Sequence, residues 1–268
     1  MGIESRRNRT LKDIRRLRRS KGDLALLEGP HLTAAALAAG LPLATVLATP
    51  EFLASAAGRA LTGDLPSPPQ VVEARLLEEL ADADSPRGLL AVASLPRAGV
   101  EALTPRAGGL YLYVEGLQDP GNLGALARVA EAAGADGMAL SVGTVHPNHP
   151  RALRASAGSL LRLPVAVGVD AAMLDGRLVP ASSPASAPPC WVVLVPRNGV
   201  DLYALPPAVL DGTLVLALGA EGPGISPALA ARADLRLTIP LAPPVESLNA
   251  TVAAALALFE LRRRRHRG

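Results

Sequence analysis

From residue 110 onward, short apolar runs at 110–115, 137–142, 164–167, 190–195, 213–218 and 235–239 alternate with Ala/Leu-rich stretches at 121–133, 150–159, 226–232 and 247–264. That alternation predicts strands and helices in turn, hence a mainly parallel sheet covered by helices, because parallel neighbours are joined through long crossovers. A shorter version precedes it. Leu24–His31 reads as a strand entering a turn, a helix ends near Gly40, and apolar runs at 43–48, 70–72 and 89–94 are separated by helical patterns around 51–57 and 75–81. The stretch Pro96–Gly109, with two Pro and three Gly, is a linker. A chain of 268 residues is long enough for two cores. The expected layout is a basic extension over 1–21, a small α/β domain over 22–97, a linker over 98–108 and a larger α/β domain over 109–268.

Three of the loops carry polar side chains where a strand gives way to a helix. Glu115–Arg128 follows the first run of the larger domain and includes Asn122, Gly124 and Arg128. Gly219–Ser226 follows the run ending at Leu218 and includes Glu221 and Gly222. Ile239–Val252 places Glu246, Ser247 and Asn249 between a short strand and the last helix, which Ser247 or Asn249 can cap. Taken singly, each is an ordinary Gly turn or capped helix start. Chemically, Gly219 and Gly222 admit a close backbone approach to a ligand, while Ile239, Leu241 and Leu248 offer apolar contact. Asn122 and Arg128, six residues apart, share one helix. Arg128 alone would be a surface arginine.

In this order and setting the three segments resemble the three motifs of the SpoU/TrmH class of RNA ribose 2'-O-methyltransferases, in the SPOUT superfamily. The resemblance runs over roughly 109–265 and includes Pro150–Gly158; Ala220 departs from the Asn common at its position. It implies a SPOUT catalytic domain with a C-terminal trefoil knot, which general topology rules would not give, since true knots are essentially absent from proteins. It further implies an S-adenosylmethionine pocket at Gly219, Ile239, Leu241 and Leu248. Arg128 would be the catalytic arginine, with Asn122, Glu221, Ser247 and Asn249 orienting the reacting groups. A guanidinium stays protonated, so Arg128 fits phosphate binding and alkoxide stabilisation better than proton removal. The turn Leu27–Leu32 similarly resembles the small L30e-like, ribosomal-protein-like RNA-binding domain that precedes the catalytic domain in many members. Homodimers are the rule in the family. The stripe Leu248, Val252, Ala255, Leu256 and Phe259 offers a surface to a second copy or to the chain's own core.

Charge bears on the partner. Residues 1–21 hold nine Lys/Arg against two Asp/Glu, and residues 262–267 hold five Arg, whereas the rest carries 13 basic against 22 acidic groups. Such blocks are either solvated tails or phosphate-binding arms. With six aromatic residues in the chain, a base-stacking sheet is not expected. The opening residues lack the apolar core of a secretory signal, no apolar run reaches membrane-spanning length, and the lone Cys190 fits a reducing cytoplasm. His146 and His149 have metal-like spacing, but Pro147 bars a regular helix and no carboxylate or thiol adjoins them, so no metal site is expected.

These features predict an S-adenosylmethionine-dependent RNA ribose 2'-O-methyltransferase acting preferentially on ribosomal RNA, with transfer RNA left open. The rival is a non-catalytic RNA-binding or ribosome-assembly protein that keeps the fold. A nucleotide-dependent oxidoreductase would need the G-x-G-x-x-G fingerprint, which is incomplete here.

Overall fold

A computed structural model describes residues 3–17, 22–81, 87–179 and 188–265. Arg18, Arg19 and Lys21 of the N-terminal block, Arg267 at the other end and most of the Pro/Ser-rich stretch 180–189 lie outside the described residues. The backbone divides into two compact units. One gathers the chain through Pro96 together with His146–Arg162; the other holds Arg97–Val145 and everything from Leu163.

The first unit begins with α1 (Arg9–Leu17), β1 (Leu24–Glu28), α2 (Pro30–Ala38), β2 (Leu43–Ala48), α3 (Pro50–Ala54), α4 (Ala56–Gly63), β3 (Gln70–Val71), α5 (Ala74–Glu78) and β4 (Leu89–Ser94). Its sheet runs β1-β4-β2-β3, antiparallel except for the parallel β2–β3 pair. The basic N-terminus is not a free arm in its described part. Ile3 bridges Val72, and Leu11 and Ile14 of α1 are buried with Leu26, Leu47, Leu76 and Leu80. The cause is an apolar beat at 11, 14 and 17 that points one stripe of a charged helix inward.

The second unit contributes β5 (Leu110–Val114), α6 (Pro120–Ala132) and β6 (Gly137–Leu140) before the chain returns to the first unit as α7 (Pro150–Ala155) and α8 (Ser159–Arg162). One helix was expected over 150–159. Left-handed backbone at Ala157 and Gly158 breaks it. Arg154 of α7 pairs with the buried Glu28 at 2.6 Å, and Asn148 donates to Leu95 O at 2.9 Å. The second unit then continues with β7 (Val165–Val167), α9 (Ala171–Leu178), β8 (Cys190–Leu194), β9 (Val200–Asp201), β10 (Leu214–Leu218), α10 (Pro227–Arg232), β11 (Leu235–Thr238) and α11 (Ala250–Arg265). Its seven strands are parallel throughout, in the order β7-β6-β5-β10-β8-β11-β9.

Burial on both faces explains the uninterrupted apolar strands: every residue of β5 and of β10 is buried. Trp191 anchors one side of this core. Its ring meets Tyr113 edge-on at 5.3 Å, its indole N–H donates to Asp175 at 2.7 Å, and the Arg232 guanidinium lies over it at 5.5 Å. Burial pushes the Tyr113 hydroxyl up to about 12, so it stays neutral in the interior.

The C-terminal arginines behave unlike the sequence pattern of a phosphate-binding block. Arg262 donates to Ala132 O at 2.6 Å, Arg264 to Leu205 O at 2.6 Å, and Arg265 to Gly108 O and Gly212 O at 2.8 Å each. Arg263 and Arg264 also bind Glu260, whose carboxyl is pulled down to about 2 mainly by the hydrogen bond from Arg263. They clamp the end of α11 to main-chain carbonyls.

Candidate active site

In a parallel sheet, strands deliver their following loops to one edge, where ligands bind. The loops after β5, β8, β10 and β11 meet there. Asp119 caps α6 by accepting from Asn122 N at 2.7 Å, with Pro120 in the first turn. This fixes Asn122 two residues into the helix. Its side-chain amide donates to Glu221 Oε1 and accepts from Asn249 Nδ2 at 3.2 Å. The Asn249 Oδ1 atom meanwhile accepts from Thr251 N at 2.9 Å and Val252 N at 3.3 Å, capping α11. Asn249 is therefore the cap. Ser247, the other candidate, is exposed and α11 starts at Ala250 rather than at 247.

Beside this chain of amides lies a cavity of about 510 Å3, within the range of small-molecule sites, lined by Gly219, Glu221, Gly222, Ile239, Leu241, Ser247, Leu248 and Asn249 among others. Its floor depends on a glycine. A Cβ on Gly219 would meet the Gly224 carbonyl carbon and oxygen at 2.1 Å and Ile225 N at 2.3 Å, so the loop closes only without a side chain. Glu115 braces the same loop by accepting from Ser226 N and Oγ, both at 2.7 Å. Apolar Ile239, Leu241 and Leu248 facing backbone amides and a carboxylate suit a flat heteroaromatic ligand with a polar tail.

Of the expected residues, seven line the cavity and Asn122 joins it through Glu221 and Asn249. Arg128 does not. It stands exposed at the ninth position of α6, about 9 Å along the helix from Asn122, with no side-chain partner among the described residues. The sequence reading also missed Arg197, which lines the cavity and pairs with Glu246 at 2.8 Å. Its one signal was position, just past the end of a strand. Among the described residues, no cluster of His, Cys, Asp and Glu is arranged to hold a metal. Burial pushes the Cys190 thiol up, away from the reactive thiolate.

A parallel α/β unit with a glycine-floored cavity at its strand ends, edged by a carboxylate that accepts from one amide which in turn accepts from a second, defines a small-molecule-dependent enzyme. Residues 109–259 match the model of the SpoU rRNA methylase family. The chain is 31% identical to an uncharacterized tRNA/rRNA methyltransferase of Synechocystis sp. over 97% of its own length and 93% of that protein. It is 29% identical to the 23S rRNA (guanosine(2553)-2'-O)-methyltransferase RlmP of Bacillus subtilis over 97% and 98% of the two chains. Among solved structures, the SpoU methyltransferase AviRb of Streptomyces viridochromogenes, in complex with AdoMet, superposes with a TM-score of 0.86 at 27% identity, covering 98% of this chain and all of that one. The chain belongs to the SpoU rRNA methylase family.

Proposed function

We infer that this protein transfers the methyl group of S-adenosylmethionine to a ribose 2'-hydroxyl of RNA, with ribosomal RNA as the preferred substrate. One observation carries the reading: in a member of this family, Asn122, Glu221 and Asn249 form a continuous hydrogen-bonded row along the edge of the glycine-floored cavity. Gly219, Ile239, Leu241 and Leu248 would hold the cofactor, which supplies an electrophilic sulfonium methyl when bound. Methyl transfer to a hydroxyl asks the protein to align two partners and manage one proton. Glu221, oriented by Asn122, would serve that alignment together with Ser247 and Asn249 at the cavity edge. Arg128, permanently charged and unpaired among the described residues, serves the phosphate and the developing alkoxide.

The exposed position of Arg128 also favours a homodimer. Val252, Leu256 and Phe259 of α11 are 48%, 40% and 47% exposed, so this stripe is not core of the chain itself. A second copy is its natural cover, and α6, packed on α11, would carry Arg128 to that interface. The strand order, with β10 between β5 and β8 and β11 between β8 and β9, supports a trefoil-knotted path for the C-terminal segment. The four-stranded sheet with its Glu28-Gly29-Pro30-His31 turn supports an L30e-like RNA-binding domain at the N-terminus, and a cytoplasmic location follows from the substrate.

The test is S-adenosylhomocysteine calorimetry, followed by methyl transfer to deproteinised ribosomal RNA and to transfer RNA, with alkali-resistant dinucleotides as the readout. Methylated, alkali-resistant linkages in ribosomal RNA support the reading. Absence of cofactor binding would leave the non-catalytic RNA-binding alternative standing.

A further inference from the structure

The two basic blocks of the sequence meet opposite fates in the fold. At the C-terminal end, Arg262, Arg264 and Arg265 spend their donors on main-chain carbonyls and Arg263 on Glu260. At the N-terminal end, the buried pair Leu11 and Ile14 fixes α1 against the first unit, while Arg15 and Arg6 reach back to Glu79. At 100° per residue, Arg9, Lys12 and Arg16 fall on the face opposite Leu11 and Ile14. Arg9 and Arg16 side chains are 97% and 83% exposed, and Lys12 is exposed.

Among the described residues nothing neutralises this face strongly. Asp13 lies between the two arginines but at 3.9 Å from each, a solvated separation worth little and easily exchanged for another anion. The Lys12 and Arg7 side chains have no partner among the described residues. Three cations spaced over about 10 Å on a helix that cannot swing away form a preset row for a polyanion, with less ordering entropy to lose than a flexible tail.

We propose that the outward face of α1, made by Arg9, Lys12 and Arg16, is a docked ridge that binds the phosphate backbone of the substrate RNA. The proposal rests on the RNA-methyltransferase reading and gives that substrate a second contact surface, on the first unit. An anionic membrane is the other polyanion such a helix can meet. That requires an apolar face free to enter the lipid boundary, and here Leu11 and Ile14 are 0% and 2% exposed within the core. The ridge recognises charge and not sequence, so it tethers RNA without choosing the nucleotide.

The experiment compares the full chain with the triple variant Arg9→Gln, Lys12→Gln, Arg16→Gln and with the charge-keeping double variant Arg9→Lys, Arg16→Lys. Affinity for deproteinised large-subunit ribosomal RNA is measured from 50 to 200 mM salt, with phosphatidylserine vesicles as a parallel ligand. Loss of three phosphate contacts should flatten the slope of log affinity against log salt by about 2 to 3, so the native chain's advantage shrinks about thirtyfold across that range. The double variant should keep the native slope, and all three proteins should bind S-adenosylhomocysteine alike. An unchanged slope in the triple variant overturns the ridge, as does loss of vesicle binding with RNA binding intact. A native chain that binds neither cofactor nor RNA overturns the underlying reading instead, which the cofactor titration separates.

Discussion

Replacing Asn249 separates the two roles of its amide. The oxygen caps α11 through Thr251 N and Val252 N, while the nitrogen donates to Asn122 Oδ1 at 3.2 Å. Asn249→Ala removes both: about 1 kcal/mol for the cap and about 1 kcal/mol for a neutral hydrogen bond. A loss of about 2 kcal/mol lowers the melting temperature by about 4–8 °C in a chain of this size. Asn249→Asp keeps the capping oxygen and places negative charge at a helix N-terminus, worth about 0.3–1 kcal/mol. It loses only the donation to Asn122 and sets a carboxylate beside an acceptor, so its stability should lie within about 1 kcal/mol of native. Activity should order the variants differently. Once Asn122 loses its donor, the Glu221 carboxylate is no longer held in one orientation, and turnover on RNA should fall about 10- to 100-fold in both variants. Calorimetric melting with and without S-adenosylhomocysteine, together with radiolabelled methyl transfer, reads both effects. If Asn249→Asp melts with Asn249→Ala, the oxygen is not the cap; if it turns over like the native chain, the amide row is not part of the catalytic machinery.

Gly219→Ala should weaken S-adenosylhomocysteine binding at least about tenfold by calorimetry, since an overpacked backbone costs about 1–3 kcal/mol, whereas Gly63→Ala, with nothing within 4 Å of its added carbon, should not. Arg128→Ala should leave cofactor affinity within about twofold while methyl transfer drops at least about 100-fold; retained turnover would remove Arg128 from the mechanism. Leu256→Glu with Phe259→Glu should convert a dimer to a monomer in sedimentation analysis, and a native monomer with full activity would refute the interface. Because the Glu260 carboxyl is depressed to about 2 in the fold, its contribution is present above the ordinary carboxylate range and is lost as pH falls toward 2. Acid titration of Glu260→Gln should therefore show a shallower loss of stability over that window.

Strand and helix alternation made the parallel sheet legible, because both faces of β5 and β10 are buried and their residues are accordingly apolar. Strand order was not, since the sequence carries no mark that Leu214 pairs with Leu110, 104 residues earlier. Helices α1 and α9 escaped detection for different reasons. In α1 the apolar beat is confined to Leu11, Ile14 and Leu17 within a dense run of charge, and in α9 only Leu174 and Leu178 are buried. The edge strand β9 has two residues and exists only because β11 pairs with it. At the site, glycines and amides stood out through their loops, but Arg197 reaches Glu246 across 49 positions, a proximity created by the sheet alone.

The arginine clamp at the far end of α11 has a consequence for when the protein becomes competent. Asn249 opens the same helix that Arg262, Arg264 and Arg265 fasten to carbonyls at residues 132, 205, 108 and 212. Those carbonyls, and the partners Asn122 and Glu221, all precede α11 in the chain. During synthesis the earlier strands emerge and pair first. A ribosome that stalls before residue 249 thus leaves a chain in which α11 is missing and Asn122 lacks the donation from Asn249. Assembly of the site therefore waits for the last helix, and comes as a single late event of synthesis.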